Sequence, residues 1–248
     1  MNLTWHIVKK DLQRFRWAIA IWAVSFLYYQ LRFKLDFRSP VTMTDTPVGV
    51  YLLLLSLITF GVLSVAMIVG VVQEDNLVES TVHWRTRPIS PARLLAAKLL
   101  LIGVLFVILP QFVAWLINRP GPLDSTRAFK EMGFAALAAA GLSLSFAAAA
   151  ACTKDLGRCM LAWLAVVVAA FLLAHWLGKI VPPLDRLTAN QLIAPKGLAI
   201  LSLGAGVGLA VLCSQYLLRW LALSLALLAG GALGAAIIGA AWTWNYLR

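Results

Sequence analysis

Charged side chains are scarce in this 248-residue chain, where Asp, Glu, Lys and Arg together make up only 12% of the residues. Soluble domains carry about 25% charged residues. Hydrophobic residues make up 62% of the chain, and they lie in runs close to the roughly 20 residues that a helix needs to cross a bilayer. The composition therefore excludes a soluble globular protein and predicts one polytopic membrane domain over residues 1–248.

Motifs for catalysis and for cofactor binding are missing as well. The three cysteines, Cys152, Cys159 and Cys213, do not have the CxxC spacing of a metal site. No HExxH zinc motif and no GxSxG nucleophile motif occurs. The phosphate-binding loop G-x-x-x-x-G-K-[ST] is absent too, so we expect no cofactor in this chain and no ATP hydrolysis by this chain alone.

Ionisable residues are absent from the centres of the apolar runs, where they would be costly and would indicate function. His175 lies two residues before the end of its run, which is typical of an interfacial residue. This pattern disfavours an intramembrane enzyme, and it weakens the case for a proton- or sodium-coupled carrier. We therefore predict that the chain is not an enzyme.

Seven apolar runs predict an all-α bundle of six to seven transmembrane helices. Six is the alternative count if the last run is a re-entrant or interfacial piece. The predicted spans are approximately 16–32, 49–72, 99–117, 132–152, 159–177, 198–217 and 220–241.

Basic residues outnumber acidic ones, 21 to 10. In a soluble protein this excess would suggest nucleic acid as a partner, but here the cations flank apolar runs, where they meet lipid phosphates and help to fix orientation. We therefore expect membrane lipid as a partner and no nucleic acid. An N-terminus inside the cell puts eleven cations on the cytoplasmic side and 21 − 11 = 10 on the other, so total charge hardly decides the orientation.

The N-terminal residues predict a basic amphipathic helix. Trp5, Val8, Leu12 and Phe15 follow a 3-4-3 spacing that forms one apolar stripe. The residues off the stripe are mostly basic: Lys9, Lys10, Gln13 and Arg14. A basic helix with Trp on its apolar face is typical of the membrane interface, so residues 1–16 are predicted to form an interfacial helix. The alternative is a charged N-terminal tail.

Two pairs of glycines have the i, i+4 spacing that lets helix backbones approach closely in lipid. They are Gly204 with Gly208, and Gly230 with Gly234. The pairs predict helix packing sites, either between two subunits or within one bundle. Small polar residues such as Ser56 and Ser64 could line a pathway, or could bond to carbonyls of their own helix.

The longest polar segment between two apolar runs is 73–98, with the sequence QEDNLVESTVHWRTRPISPARLLAAK. Its acids could cap a short helix that ends before Pro88, because the residue before proline disfavours the α conformation. Ser90 and Pro91 predict a new helix start that leads into the third span. Such a segment could transmit a push from a soluble partner to two spans, or it could be a solvated loop that anchors the membrane through its cations.

The run VHWRTRPISPARLLAAKLL (82–100), with QED (73–75) before it, resembles the loop between the second and third spans of ABC-2 type transporter permeases. The opening WHIVKKDLQRFRW (5–17) resembles the basic connector helix of that family. The resemblance implies a permease subunit that pairs with a second permease subunit and with separate ATP-binding subunits, which would carry the ATP and Mg. It implies that segment 73–98 docks on the ATPase from the cytoplasmic side. The docking residues carried over are Glu74, Asp75, Glu79, Trp84, Arg85, Arg87 and Pro88.

The sequence thus predicts the permease subunit of an ATP-driven exporter in the bacterial inner membrane, with a cytoplasmic N-terminus. The alternative is a membrane anchor that recruits a soluble partner without transporting anything. The seventh apolar run departs from the family layout, and the substrate is not predicted.

Overall fold

The computed structural model describes residues 3–38, 47–74, 90–118, 125–180, 189–218 and 220–241. Nearly all of these residues are helical, and no strand occurs within these ranges. The all-α fold class is therefore confirmed. The elements are α1 (Leu3–Arg14), α2 (Arg16–Arg38), α3 (Pro47–Gln73), α4 (Pro91–Ile102), a first π-helical segment (Gly103–Ile108), α5 (Leu109–Asn118), α6 (Ser125–Ala151), α7 (Leu156–Ile180), α8 (Ala189–Cys213), a second π-helical segment (Ser214–Leu218) and α9 (Leu221–Ala241).

Five helical stretches within the described ranges are long and apolar enough to cross a membrane. The protein therefore has the character of a helical membrane protein. The stretches match the second, third, fourth, sixth and seventh predicted spans. The first predicted span lies on α2 and the fifth on α7, whose apolar part Leu156–Ala169 is shorter. A total of six or seven spans therefore stays a prediction. The five stretches are Tyr51–Gln73, Pro91–Ile117, Phe129–Ala151, Gly197–Leu218 and Leu221–Ile238.

The third span begins eight residues earlier than the apolar run at 99–117 indicated. The Ser90 side chain accepts a hydrogen bond from the Arg93 amide, and Pro91 occupies the first turn. Ser is a favoured N-cap residue and Pro fits the first helical turn, where no amide donor is needed. The predicted helix start at Ser90–Pro91 is confirmed, and Lys98 lies inside the span rather than before it.

The buried core lies at the end of the bundle that carries the C-terminus of α3 and the start of α4. Val69 and Val72 of α3, Leu94 and Ile102 of α4, and Leu212 near the end of α8 all pack there. The last residues of α6, Ala147–Ala151, fill the same core with small side chains. Four aromatic rings from α2, α3 and the first π-helical segment extend this core: Trp22, Phe26, Phe60 and Phe106.

Helices α6 and α8 touch along their backbones at two glycines. A Cβ atom on Gly141 would lie 2.8 Å from the Leu201 carbonyl oxygen, and one on Gly208 would lie 2.7 Å from the Leu144 carbonyl oxygen. No side chain fits at such distances without movement of a backbone. At these two points the helices therefore pack so closely that only glycine fits without a shift.

Candidate functional site

Five charged residues from three helices meet where segment 73–98 enters and leaves the bundle. We call this cluster the charged joint. It consists of Lys10, Asp11 and Arg14 of α1, Glu74 at the end of α3, and Lys98 of α4.

The centre of the joint is a buried ion pair between α1 and α4. Lys98 Nζ donates to Asp11 Oδ2 over 2.9 Å, and the two side chains are only 3% and 2% exposed. Removing two charges from water costs several kcal/mol per ion, and close pairing offsets that cost. The pair therefore fixes where α1 sits on α4, because any other register would leave a buried charge without its partner.

Glu74 joins α3 to the same short stretch of α1. Its Oε1 accepts from Lys10 Nζ at 2.9 Å and lies 2.8 Å from Arg14 Nη1. Burial alone would raise the pKa of Glu74, but the hydrogen bond from Lys10 and the nearby charges of Lys98 and Lys10 outweigh it, and the pKa is lowered to about 2. Glu74 is therefore a carboxylate at neutral pH, and it holds two cations of α1.

Asp11 behaves in the opposite way. Burial raises the pKa of its carboxyl group, Lys98 lowers it, and the neighbouring Glu74 raises it again. The negative charge of Glu74 disfavours a second carboxylate beside it, whereas the cation of Lys98 favours one. The two acids of the joint are thus linked, and the protonation of one affects the other.

Apolar contacts hold α1 against the bundle beside these charges. Val8 packs with Val71 of α3 and with Ala97 and Leu101 of α4, and it is almost fully buried. Leu12 and Phe15 pack against the same cluster. The predicted stripe is therefore largely covered by protein, because α3 and α4 present apolar side chains to it.

Trp5, the first residue of the predicted stripe, is instead 61% exposed. Lys9 is exposed on the outer face of α1, and Lys10 and Arg14 are more than half exposed despite their contact with Glu74. Contact of this outer face with lipid headgroups stays a prediction.

A second set of polar contacts links the end of α3 to the turn between α6 and α7. Gln73 Nε2 donates to the carbonyl oxygen and the hydroxyl of Thr153, at 3.3 Å each. Asp155 caps α7 by accepting from the Arg158 amide at 2.8 Å. Gln215 of the second π-helical segment is buried at the same end and points its amide at the Cys152 sulfur, 3.9 Å away. The charged joint therefore has further polar contacts beside it at the same end of the bundle.

Most of the residues predicted to dock a partner lie outside the described residues: Asp75, Glu79, Trp84, Arg85, Arg87 and Pro88. The described one, Glu74, points toward α1 rather than away from the bundle. Docking by these residues stays a prediction, and the described contacts of Glu74 are internal.

The four predicted packing glycines differ in their surroundings. Gly208 abuts the backbone of α6, and a Cβ atom on Gly204 would lie 3.9 Å from the Gly141 carbonyl oxygen. On α9, a Cβ atom on Gly234 would lie 3.1 Å from Leu203, whereas Gly230 has nothing within 4 Å. These contacts lie within one chain, and Gly141 and Gly231 make further close approaches that the i, i+4 pattern did not indicate.

The serines of the second span bond to their own helix. Ser56 donates to the Leu53 carbonyl, and Ser64 donates to the Phe60 carbonyl while accepting from Trp22 Nε1 over 2.7 Å. Their polar groups are therefore satisfied internally, as the alternative to a pathway lining predicted.

Sequence reasoning missed the Asp11–Lys98 pair, although a signal was present. Positions 8, 11, 12 and 15 have the i, i+3, i+4, i+7 spacing of one helix face, and Asp11 stands among three apolar residues on it. Lys98 stands between Leu94 and Leu101 in the same way. A single acid and a single base on two apolar faces are candidates for mutual pairing.

No protein-family model, no curated protein and no solved structure matches this chain.

Proposed function

We propose that this chain is the membrane-spanning permease subunit of an ATP-driven exporter. In this proposal the N-terminus and segment 73–98 face the cytoplasm of a bacterial inner membrane. A separate ATP-binding subunit, carrying ATP and Mg, docks on that segment. A second permease subunit completes the pathway.

The observation that carries the proposal is the charged joint. Glu74 directly precedes the central part of segment 73–98, and Lys98 closes it; both are paired with residues 10–14 of α1. A force applied to the segment therefore acts on α1, α3 and α4 together. A simple anchoring loop has no need for this arrangement, whereas a segment that transmits movement does.

The test is association with an ATPase. The tagged chain is purified from its native membrane in mild detergent, and vanadate-sensitive ATP hydrolysis is measured in the eluate. We expect activity with the parent chain and its loss with Arg85→Glu plus Arg87→Glu. The matched control is Arg127→Glu plus Lys130→Glu, two charge reversals on α6 outside the segment, which should keep the activity. Equal activity from both double variants would contradict docking on segment 73–98.

A non-transporting anchor is separated by a flux measurement. The purified complex is reconstituted in vesicles, and ATP-dependent movement of a hydrophobic fluorescent dye is followed. Flux that requires ATP supports the exporter. ATPase association without flux of any tested apolar compound would favour the anchor instead.

A further inference from the structure

The third span changes its helical form midway. Residues 103–108 form a π-helical segment, and the Leu109 amide donates to the Val104 carbonyl, five residues back. Just before it, the Gly103 amide still bonds to the Leu99 carbonyl, four residues back. The backbone therefore widens for about one turn between two stretches of α-helix.

Pro110 accounts for the widening. In an uninterrupted α-helix, residue 110 would donate its amide to the Phe106 carbonyl, but proline has no amide hydrogen and its ring collides with that carbonyl. A wider turn moves the carbonyl away from the ring. Prolines and π-helical turns are the usual places where helices bend, and here they coincide.

The two halves of the span differ in how firmly they are held. Before the π-helical segment, Leu94, Lys98 and Ile102 are almost completely buried in the core and the joint. After it, Phe112 and Trp115 are about half exposed. The N-terminal half is thus fixed to α1 and α3, while the C-terminal half presents large side chains outward.

A small apolar cavity lies beside the widened turn. Leu101, Leu105 and Phe106 of the span line one part of it, and Phe15 and Met67 line another. Close-packed interiors resist changes in side-chain position. The gap is about the size of one water molecule, so the widened turn is not completely close-packed against α1 and α3.

We propose that residues 103–108 are a hinge, about which the C-terminal half of the third span, 109–117, moves relative to the half held in the charged joint. Pro110 keeps this turn from closing into a regular α-helix, and the gap leaves the turn incompletely packed on the side of α1 and α3. The inference concerns this chain alone and does not depend on the proposed function.

The experiment measures the bending of the span in lipid. Spin labels are placed at Leu100 and Leu116, both exposed, in a chain whose native cysteines are replaced by alanine. In a straight α-helix, sixteen residues span about 24 Å. The control pair, Leu221 and Ile237, has the same separation and exposure in α9, which carries no π-helical turn. Both are reconstituted in phosphatidylcholine–phosphatidylglycerol vesicles, and distances are measured by double electron–electron resonance.

We expect a broad or two-peaked distance distribution for the Leu100–Leu116 pair and a narrow one for the control pair. Pro110→Ala should narrow the first distribution toward about 24 Å, whereas Pro91→Ala should leave it broad, because a first-turn proline removes no intrahelical bond. A parent distribution as narrow as that of the control pair would overturn the hinge, whether or not Pro110→Ala folds. Because no ATPase takes part, this outcome is independent of the test of the proposed function.

Discussion

The two ends of the helical bundle are built differently. At the end with the charged joint, side chains of α1, α3, α4, α6 and α8 are buried, and the charged side chains of the joint are paired with one another. Toward the other end, large apolar residues such as Leu55, Phe112 and Phe129 are exposed by 53% or more. The hydrocarbon core of a bilayer can cover exposed apolar side chains, but it cannot pair charges. The packed end therefore depends on the protein's own contacts, and the other end depends on what surrounds it.

Breaking the Asp11–Lys98 ion pair should destabilise the packed end of the bundle more than any other change below. Lys98→Ala leaves Asp11 buried without a cation, and we expect a loss of about 3–5 kcal/mol in stability at neutral pH. The measurement is thermal unfolding in detergent. The loss should shrink at acid pH, because a protonated Asp11 carries no charge.

Two further variants test that interpretation. Asp11→Leu combined with Lys98→Met replaces the pair by apolar groups and should recover most of the lost stability. Lys130→Ala, which removes an exposed cation, should change it by less than about 0.5 kcal/mol. If the double variant is as unstable as Lys98→Ala, the pair is not the reason for the loss.

A pair of phenylalanines on the third span compares a buried position with an exposed one. Phe106 packs edge-on against Trp22 with ring centroids 5.7 Å apart, whereas Phe112 is 53% exposed. We expect Phe106→Ala to cost about 3 kcal/mol in unfolding free energy and Phe112→Ala to cost less than about 0.5 kcal/mol, both from unfolding in the same detergent. Equal losses would mean that the two positions do not differ in packing.

The glycine contact between α6 and α8 should give an intermediate effect. Gly208→Ala places a methyl group against the Leu144 backbone, and we expect a loss of about 2 kcal/mol in unfolding free energy because a helix must shift. Gly206→Ala is the matched control on the same helix, since a Cβ there has nothing within 4 Å. Similar unfolding temperatures for the two variants would contradict the backbone contact.

The smallest expected effect is that of Glu74→Gln, and it depends on pH. The pKa of Glu74 lies at about 2 instead of 4.5, so its contribution to stability is present above pH 4.5 and is lost as the pH falls toward 2. We expect the variant to be less stable at pH 7 by about 1–2 kcal/mol after screening. The difference from the parent chain should vanish near pH 2. A difference that is constant from pH 7 to pH 2 would rule out the ionised Glu74 as its cause.

The sequence predicted the helical class and most spans because the hydropathy of a span depends only on the residues of that span. It also predicted the start of α4 from Ser90 and Pro91, since an N-cap depends on only a few neighbouring residues. The Asp11–Lys98 contact was missed because it depends on how two distant helices pack. The π-helical turn was overlooked although Pro110 stands within the third span, because that proline was read as part of an apolar run.

The same distinction applies to the glycines. Their spacing indicated close packing in general, but it did not indicate that Gly208 meets α6 while Gly230 meets nothing within 4 Å. Which face of a helix turns toward a neighbour is settled by the whole bundle. A pattern on one helix cannot supply that.

The ion pair between Asp11 and Lys98 also sets an order of events during synthesis. The two residues are 87 positions apart, so Asp11 is made long before its partner. At about 5–20 residues per second, the interval is roughly 4–17 s. Throughout that time the N-terminal helix lacks the lysine that pairs with Asp11. The surface of α3 and α4 on which it packs forms only after the second span has been made and the third has begun. The first helix to leave the ribosome therefore has to wait for the third span before its buried ion pair can form.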